Sequence, residues 1–146
     1  MQEFYFLGQI IIAVILGGVL GLQRERWGKP AGPRTYALVT AGSTLFTVLS
    51  LYGFGGGQNV THVAAQIVTG IGFLGAGMIL HKENRLEGLT TAAGLWITAA
   101  IGMAVGLRYF ILSVGTTAIM LLLLMFDDQP FKKMVTDKMN SPKVQK

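Results

Sequence analysis

Cysteine is absent from this chain of 146 residues, and charge is scarce, at 13% of positions. Without cysteine there are no disulfides and no thiolate metal sites, and the redox compartment stays undetermined. Soluble domains carry about 25% charged residues. A chain with half that share, and with 51% hydrophobic residues, belongs in a membrane. Acidic residues number seven, and none lies well inside an apolar run. No carboxylate is therefore placed for a proton or ion relay through the bilayer centre, which counts against an ordinary coupled transporter. A nucleophile–base pair and a phosphate loop are also missing. Lys29-Pro30 has neither the glycine spacing nor the following Ser or Thr of a Walker loop. No enzyme is expected.

What is present is a series of five apolar runs, at residues 4–22, 36–54, 64–80, 92–107 and 110–126. A spanning helix needs roughly 17–25 residues, so the first two runs are comfortable and the fourth is short. The first is not a signal peptide, because Glu3 and no Lys or Arg precedes it and a basic stretch follows it. The pattern predicts an all-α integral membrane protein, a bundle of about five transmembrane helices. Residues 1–126 form its membrane domain and 127–146 a basic tail.

Charge placement predicts the orientation. Arg24, Arg26, Lys29 and Arg34 follow the first run, Lys82 and Arg85 follow the third, and five lysines follow the fifth. Arg108 alone falls on the other side. The positive-inside rule then puts the N-terminus outside and the tail in the cytoplasm. In a soluble protein a net charge of +5 would suggest nucleic acid. Here the basic residues face the headgroups of the bilayer instead, and no nucleic-acid partner is expected. The outer loop at residues 55–62 is glycine-rich, and its His62 is expected to be solvated.

Residues 69–80 are apolar and uncharged, yet four of the twelve are glycine. Each interior glycine costs a water-soluble helix about 0.8–1.0 kcal/mol relative to alanine. In a membrane, glycine lets helices approach closely. At helical spacing Gly72, Gly75 and Ala76 fall on one side, with Gly70 and Gly77 nearly opposite. This predicts the central helix of the bundle, packed on both sides. Gly70, Gly72 and Gly75 also match the dinucleotide fingerprint G-x-G-x-x-G, but no polar helix start or acidic partner about 20 residues on accompanies them. Gly21 is a further packing candidate.

The polar candidates fall in two groups. The densest is Gln23-Arg24-Glu25-Arg26 with Gly32-Pro33-Arg34-Thr35, where Arg24 sits at the membrane edge and either snorkels to headgroups or turns inward. Arginine suits fixed pairing with carboxylate, phosphate or backbone carbonyls. The second group is Thr40, Ser43, Thr44, Thr47 and Ser50, on one face of the second run. Those hydroxyls either bond to a neighbouring helix or line a hydrated cation path, and Gln66 needs a partner if it faces inward. Residues 81–87 read as a short mixed-charge turn without metal-ligand spacing. A weak internal echo relates Gly32-Pro33-Arg34-Thr35 to Gly88-Leu89-Thr90-Thr91, each following a glycine-rich run.

Together these pieces resemble the MgtC/SapB family of bacterial membrane proteins, specifically its N-terminal membrane domain. The matching residues are Gly21 and Arg24, Ala31 to Thr35 with Ala37-Leu38-Val39, Gln66 with Gly70 to Gly77, and Gly88 to Ala93 with Leu95-Trp96. The chain departs from that pattern at Gln23, where the family usually has Glu, and at His62, where it usually has Arg. A cytoplasmic ACT-like domain, which follows the fifth span in some members, is not expected here. The resemblance implies a protein of the bacterial cytoplasmic (inner) membrane, linked to adaptation to low magnesium and, in pathogens, to virulence. It makes magnesium or another cation a possible ligand, with no other cofactor evident, and marks Gln23, Arg24, Arg34, Thr35, Thr90 and Thr91 as the functional cytoplasmic loop.

Two functions follow as expectations. One is modulation of membrane partners, with a second copy or another membrane protein held through the glycine faces. The alternative is an oligomeric ion transporter or channel, with Thr40, Ser43, Thr44, Thr47, Ser50 and Gln66 along its path.

Overall fold

In a computed structural model that describes residues 2–53, 60–82 and 85–125, the five apolar runs become five helices. They are α1 (Gln2–Arg26), α2 (Pro33–Val48), α3 (Val60–Gly77), α4 (Leu89–Gly106) and α5 (Phe110–Met125). A single π-turn, Leu49–Gly53, extends α2. Pro33 opens α2 behind an extended Gly32, where its fixed φ suits a first helical turn and its missing N–H costs nothing. Three helices are long and apolar enough to cross a membrane: α1, α2 with its π-turn, and α4. α5 is shorter and equally apolar in character. The fold is that of a helical membrane protein. The tail at 127–146 and most of the loop at 55–62 lie outside the described residues; His62 falls in the first turn of α3 and is exposed.

Two expectations are corrected between α3 and α4. The third helix stops at Gly77 instead of reaching Leu80, closing through tight-turn bonds from Met78 N to Gly75 O (3.0 Å) and Ile79 N to Ala76 O (3.2 Å). Two glycines in three residues, Gly75 and Gly77, make a poor last turn. The mixed-charge turn that follows is a strand pair, β1 (Leu80–Lys82) antiparallel to β2 (Arg85–Glu87), with Leu80 opposite Glu87. The echo between the two loops does not extend to the backbone. Gly32 is extended at φ −103°, whereas Gly88 is left-handed at φ +93°.

The larger correction concerns the centre. α4, not α3, is the helix around which the bundle is built: it contacts each of the other four, and more than half of it is buried. Leu95, Thr98, Ile101 and Val105 are enclosed along it. α3 is buried at Ile67, Ile71 and Gly75, spaced four apart, with Val63 partly buried one turn before them and Gly75 beside Ala92 of α4. A Cβ added at Gly70, Gly72 or Gly77 would meet nothing within 4 Å, Ala76 is exposed, and Phe73 on that side is 80% exposed.

The glycines that do permit close approach lie elsewhere, in two pairs spaced four apart. Gly17 and Gly21 bring α1 against α2, where added Cβ atoms would lie 2.6 Å from Tyr36 O and 2.7 Å from Gly32 O. Gly102 and Gly106 bring α4 against the hydroxyl face of α2, at Thr40, Ser43 and Thr47. This small-xxx-small spacing is how membrane helices gain packing in a solvent that supplies no hydrophobic drive between them.

Candidate functional site

The hydroxyl face of α2 falls in these seams. Thr40, Ser43, Thr44, Thr47 and Ser50 are all buried. Thr40, Thr44 and Thr47 donate back to the carbonyls of Tyr36, Thr40 and Ser43, at 2.7, 2.9 and 2.7 Å. The single hydroxyl proton of Thr44 is shared with Gly102 O, at 2.8 Å, a direct tie from α2 to α4. Such interhelical bonds average about 0.6 kcal/mol in membrane proteins. Within one chain, then, these hydroxyls are packed between helices. Gln66 is exposed and lines a groove of about 610 Å³ between α2 and α3, which it shares with Ser43 alone of these residues, beside Gly42, Phe46, Gly70 and Leu74.

Arg24 is the chemically costly residue. It lies in the last turn of α1 and turns inward, only 4% exposed. Its Nη2 donates to Thr91 Oγ1 of α4 at 2.9 Å, while its Nε is buried with no partner. Among the described residues no carboxylate pairs with it. Tyr36, 0% exposed, lies beside the guanidinium, with its hydroxyl packed against Gly94. The C-terminal dipole of α1 favours a cation there by about 0.3–1 kcal/mol. Withdrawing the charge from water costs several kcal/mol, so dipole and hydroxyl together leave it under-compensated. The path by which Arg24 turns inward is set by Gly21, one turn earlier, which lets α1 close onto Pro33.

The remaining members of the expected loop are distributed around this centre. Gln23 points to a different helix, donating through Nε2 to Leu124 O of α5 at 2.7 Å, with its Oε1 buried and unpaired. Arg34 and Thr35, in the first turn of α2, and Thr90, beside Thr91, are exposed. The structure thus brings together Arg24, Thr91 and the unforeseen Tyr36, and it sends Gln23 to hold α5. Among the described residues, no group of three or more His, Cys, Asp or Glu side chains could hold a metal. The fixed charge in the cluster is a cation, which repels Mg²⁺.

A second buried amide, Gln9, went unnoticed in the sequence. At the opposite end of the bundle its Nε2 donates to Val105 O (2.7 Å) and Gly106 O (3.2 Å). It thereby satisfies carbonyls that the end of α4 leaves without intrahelical partners. An uncharged amide inside an apolar run was the available signal. Arg108, in the α4–α5 turn, has a left-handed φ of 66° and stands 5.7 Å from the ring centroid of Tyr52.

A helical membrane bundle with a buried, hydroxyl-bonded arginine at one end defines the class of protein. Residues 10–132 match the model of the MgtC family, and the chain belongs to that family. It is 42% identical over 137 residues to the "Putative magnesium transporter YhiD" of Escherichia coli K12, covering 88% of this chain and 64% of that protein. It is 39% identical over 121 residues to Protein MgtC of Salmonella typhimurium LT2, covering 83% of this chain and 52% of the relative. Protein SrpB of Synechococcus elongatus is 39% identical over 111 residues, 67% of this chain and 61% of its own. The chain therefore spans about half to two thirds of the length of these curated relatives. No solved structure matches it.

Proposed function

We propose that the chain acts in the bacterial cytoplasmic membrane as a helix-docking modulator, holding a second copy or another membrane protein against the exposed sides of α3 during adaptation to low magnesium. The observation that carries this reading is the disposition of α3. Gly70, Gly72 and Gly77 have open space where a Cβ would stand, although the bundle's own seams are made by other glycines. Interior glycine weakens a helix by about 1 kcal/mol relative to alanine. Three such positions serving no contact within the chain are accounted for by a helix from outside it. The basic residues cluster at the Arg24 end, which by the positive-inside rule faces the cytoplasm.

The test is Gly72→Leu. Position 72 is exposed and its Cβ would have nothing within 4 Å, so the folded monomer is expected to be at least as stable as the wild type. Growth at limiting magnesium, in cells that depend on this protein, is expected to fall to the level of the deletion. Normal growth with Gly72→Leu would sink the reading.

A second reading is favoured by the name of the relative "Putative magnesium transporter YhiD" and by the groove at Gln66: an oligomer that conducts a cation between copies. It calls for selective Mg²⁺ or monovalent-cation flux in proteoliposomes, falling in Gln66→Leu and Ser43→Ala, the polar residues that line the groove. The docking reading calls for no such flux.

A further inference from the structure

α2 and α4 begin on either side of Arg24. Tyr36 flanks it from α2 and Thr91 from α4. Neither helix has a capping side chain at its glycine N-cap, and neither carries an acidic residue in its first turn. Both therefore present the positive end of a helix dipole, with first-turn N–H groups left for an outside acceptor. A full guanidinium charge is buried between them, its Nε unpaired and its Nη2 bonded to a neutral hydroxyl. The sole carboxylate of the first loop, Glu25, is exposed beside Gly32 and does not pair with it. The guanidinium and the two helix starts share one sign, with the C-terminal dipole end of α1 opposed to them.

We infer that Arg24, Thr91 and the first turn of α4 form a binding site for a phosphate group, supplied by the headgroup of an anionic phospholipid or by soluble phosphate. A planar guanidinium pairs with two oxygens of an oxyanion at once. Helix N-termini receive phosphate through their free amides. Donors that converge from a side-chain fork and from a helix start suit a tetrahedral anion better than chloride. The exposed hydroxyl of Thr90 and the exposed side chains of Arg26, Lys29 and Arg34 lie on the solvent side of the cluster, where an anion would arrive. The α3 face plays no part in this site.

The full chain in phosphatidylcholine nanodiscs is titrated with sodium phosphate against sodium chloride at equal ionic strength, following the thermal midpoint by tryptophan fluorescence. A parallel set of discs contains phosphatidylglycerol. A midpoint raised by phosphate assigns the site to the soluble anion, and one raised only by phosphatidylglycerol assigns it to the lipid. Phosphate also strengthens burial in proteins generally, so the site is read as the difference between the wild type and Arg24→Gln. The variant is expected to lose the specific increment. Should Arg24→Gln fail to fold, Thr91→Val serves in its place, with a half-saturating ligand level raised about tenfold, as expected for a lost bond in a charge-assisted set. The inference is overturned if neither ligand shifts the wild-type midpoint beyond chloride, or if the shift survives undiminished in whichever variant folds.

Discussion

Gly102→Leu is expected to leave little folded protein in the membrane. An added Cβ at this position would stand 2.9 Å from Ser43 Cβ and 3.0 Å from Thr40 C, and would overlap the Thr40 carbonyl oxygen. Two of these are backbone atoms, which cannot swing aside as a side-chain tip can. The position is fully enclosed on the helix that contacts all four others. Relief requires α2 and α4 to separate, which also breaks the Thr44 bond to Gly102 O. Overpacking a close-packed core costs about 1–3 kcal/mol for extra methylenes, and leucine adds a whole side chain to a backbone contact. We expect even Gly102→Ala to lose about 2 kcal/mol on that basis. Gly115→Leu on α5, where nothing lies within 4 Å, is expected to change stability by less than about 1 kcal/mol in either direction. The folded fraction in bicelles, measured by steric trapping, reads both variants. Equal stability of Gly102→Leu and Gly115→Leu would show that the α2–α4 seam is not as described.

Gly88→Ala is expected to dismantle the start of α4, and with it the Arg24–Thr91 bond. Two separate penalties meet at this residue. Its φ of +93° lies where an L side chain is strained by about 1–2 kcal/mol. A Cβ would also overlap Met78 O and lie 2.9 Å from Met78 C, at the exit from α3. Gly28 separates the two effects, since it shares the left-handed backbone (φ 62°) but has nothing within 4 Å. Gly28→Ala is therefore expected to show the conformational cost alone, about 1 kcal/mol, and Gly88→Ala clearly more. Comparable thermal midpoints for the two variants would mean that the close approach of Met78 to Gly88 is not a structural constraint.

The positions of the helices were legible in the sequence because an apolar run of membrane length admits few alternatives. Which helix stands at the centre was not. The glycines of α3 are more numerous than those of α4, and number drew attention to them; the spacing of Gly17 with Gly21, and of Gly102 with Gly106, was the better guide. Glycine composition announces a close approach without saying whether the neighbour belongs to the same chain. The strand pair between α3 and α4 has three residues on each side, too short for alternation to register. Arg24 could be singled out at the membrane edge, but its inward turn depends on Gly21 fitting against Pro33 and on Thr91 arriving from a helix 67 positions away. Tyr36 was hidden for a simpler reason, since an aromatic at the start of an apolar span reads as an interfacial anchor.

The absence of cysteine makes the docking face of α3 directly measurable. A single cysteine introduced as Phe73→Cys on α3, or as Ile111→Cys on α5, is the only thiol in the chain and takes a benzophenone photocrosslinker. Both positions are highly exposed, at 80% and 92%. Irradiation in native membranes is expected to give a discrete protein adduct from position 73, a homodimer or a single heavier band, and mainly lipid adducts from position 111. The position-73 adduct is expected to disappear when Gly72→Leu is added. Indistinguishable products from the two positions, or an adduct that persists with leucine at position 72, would contradict helix docking on α3.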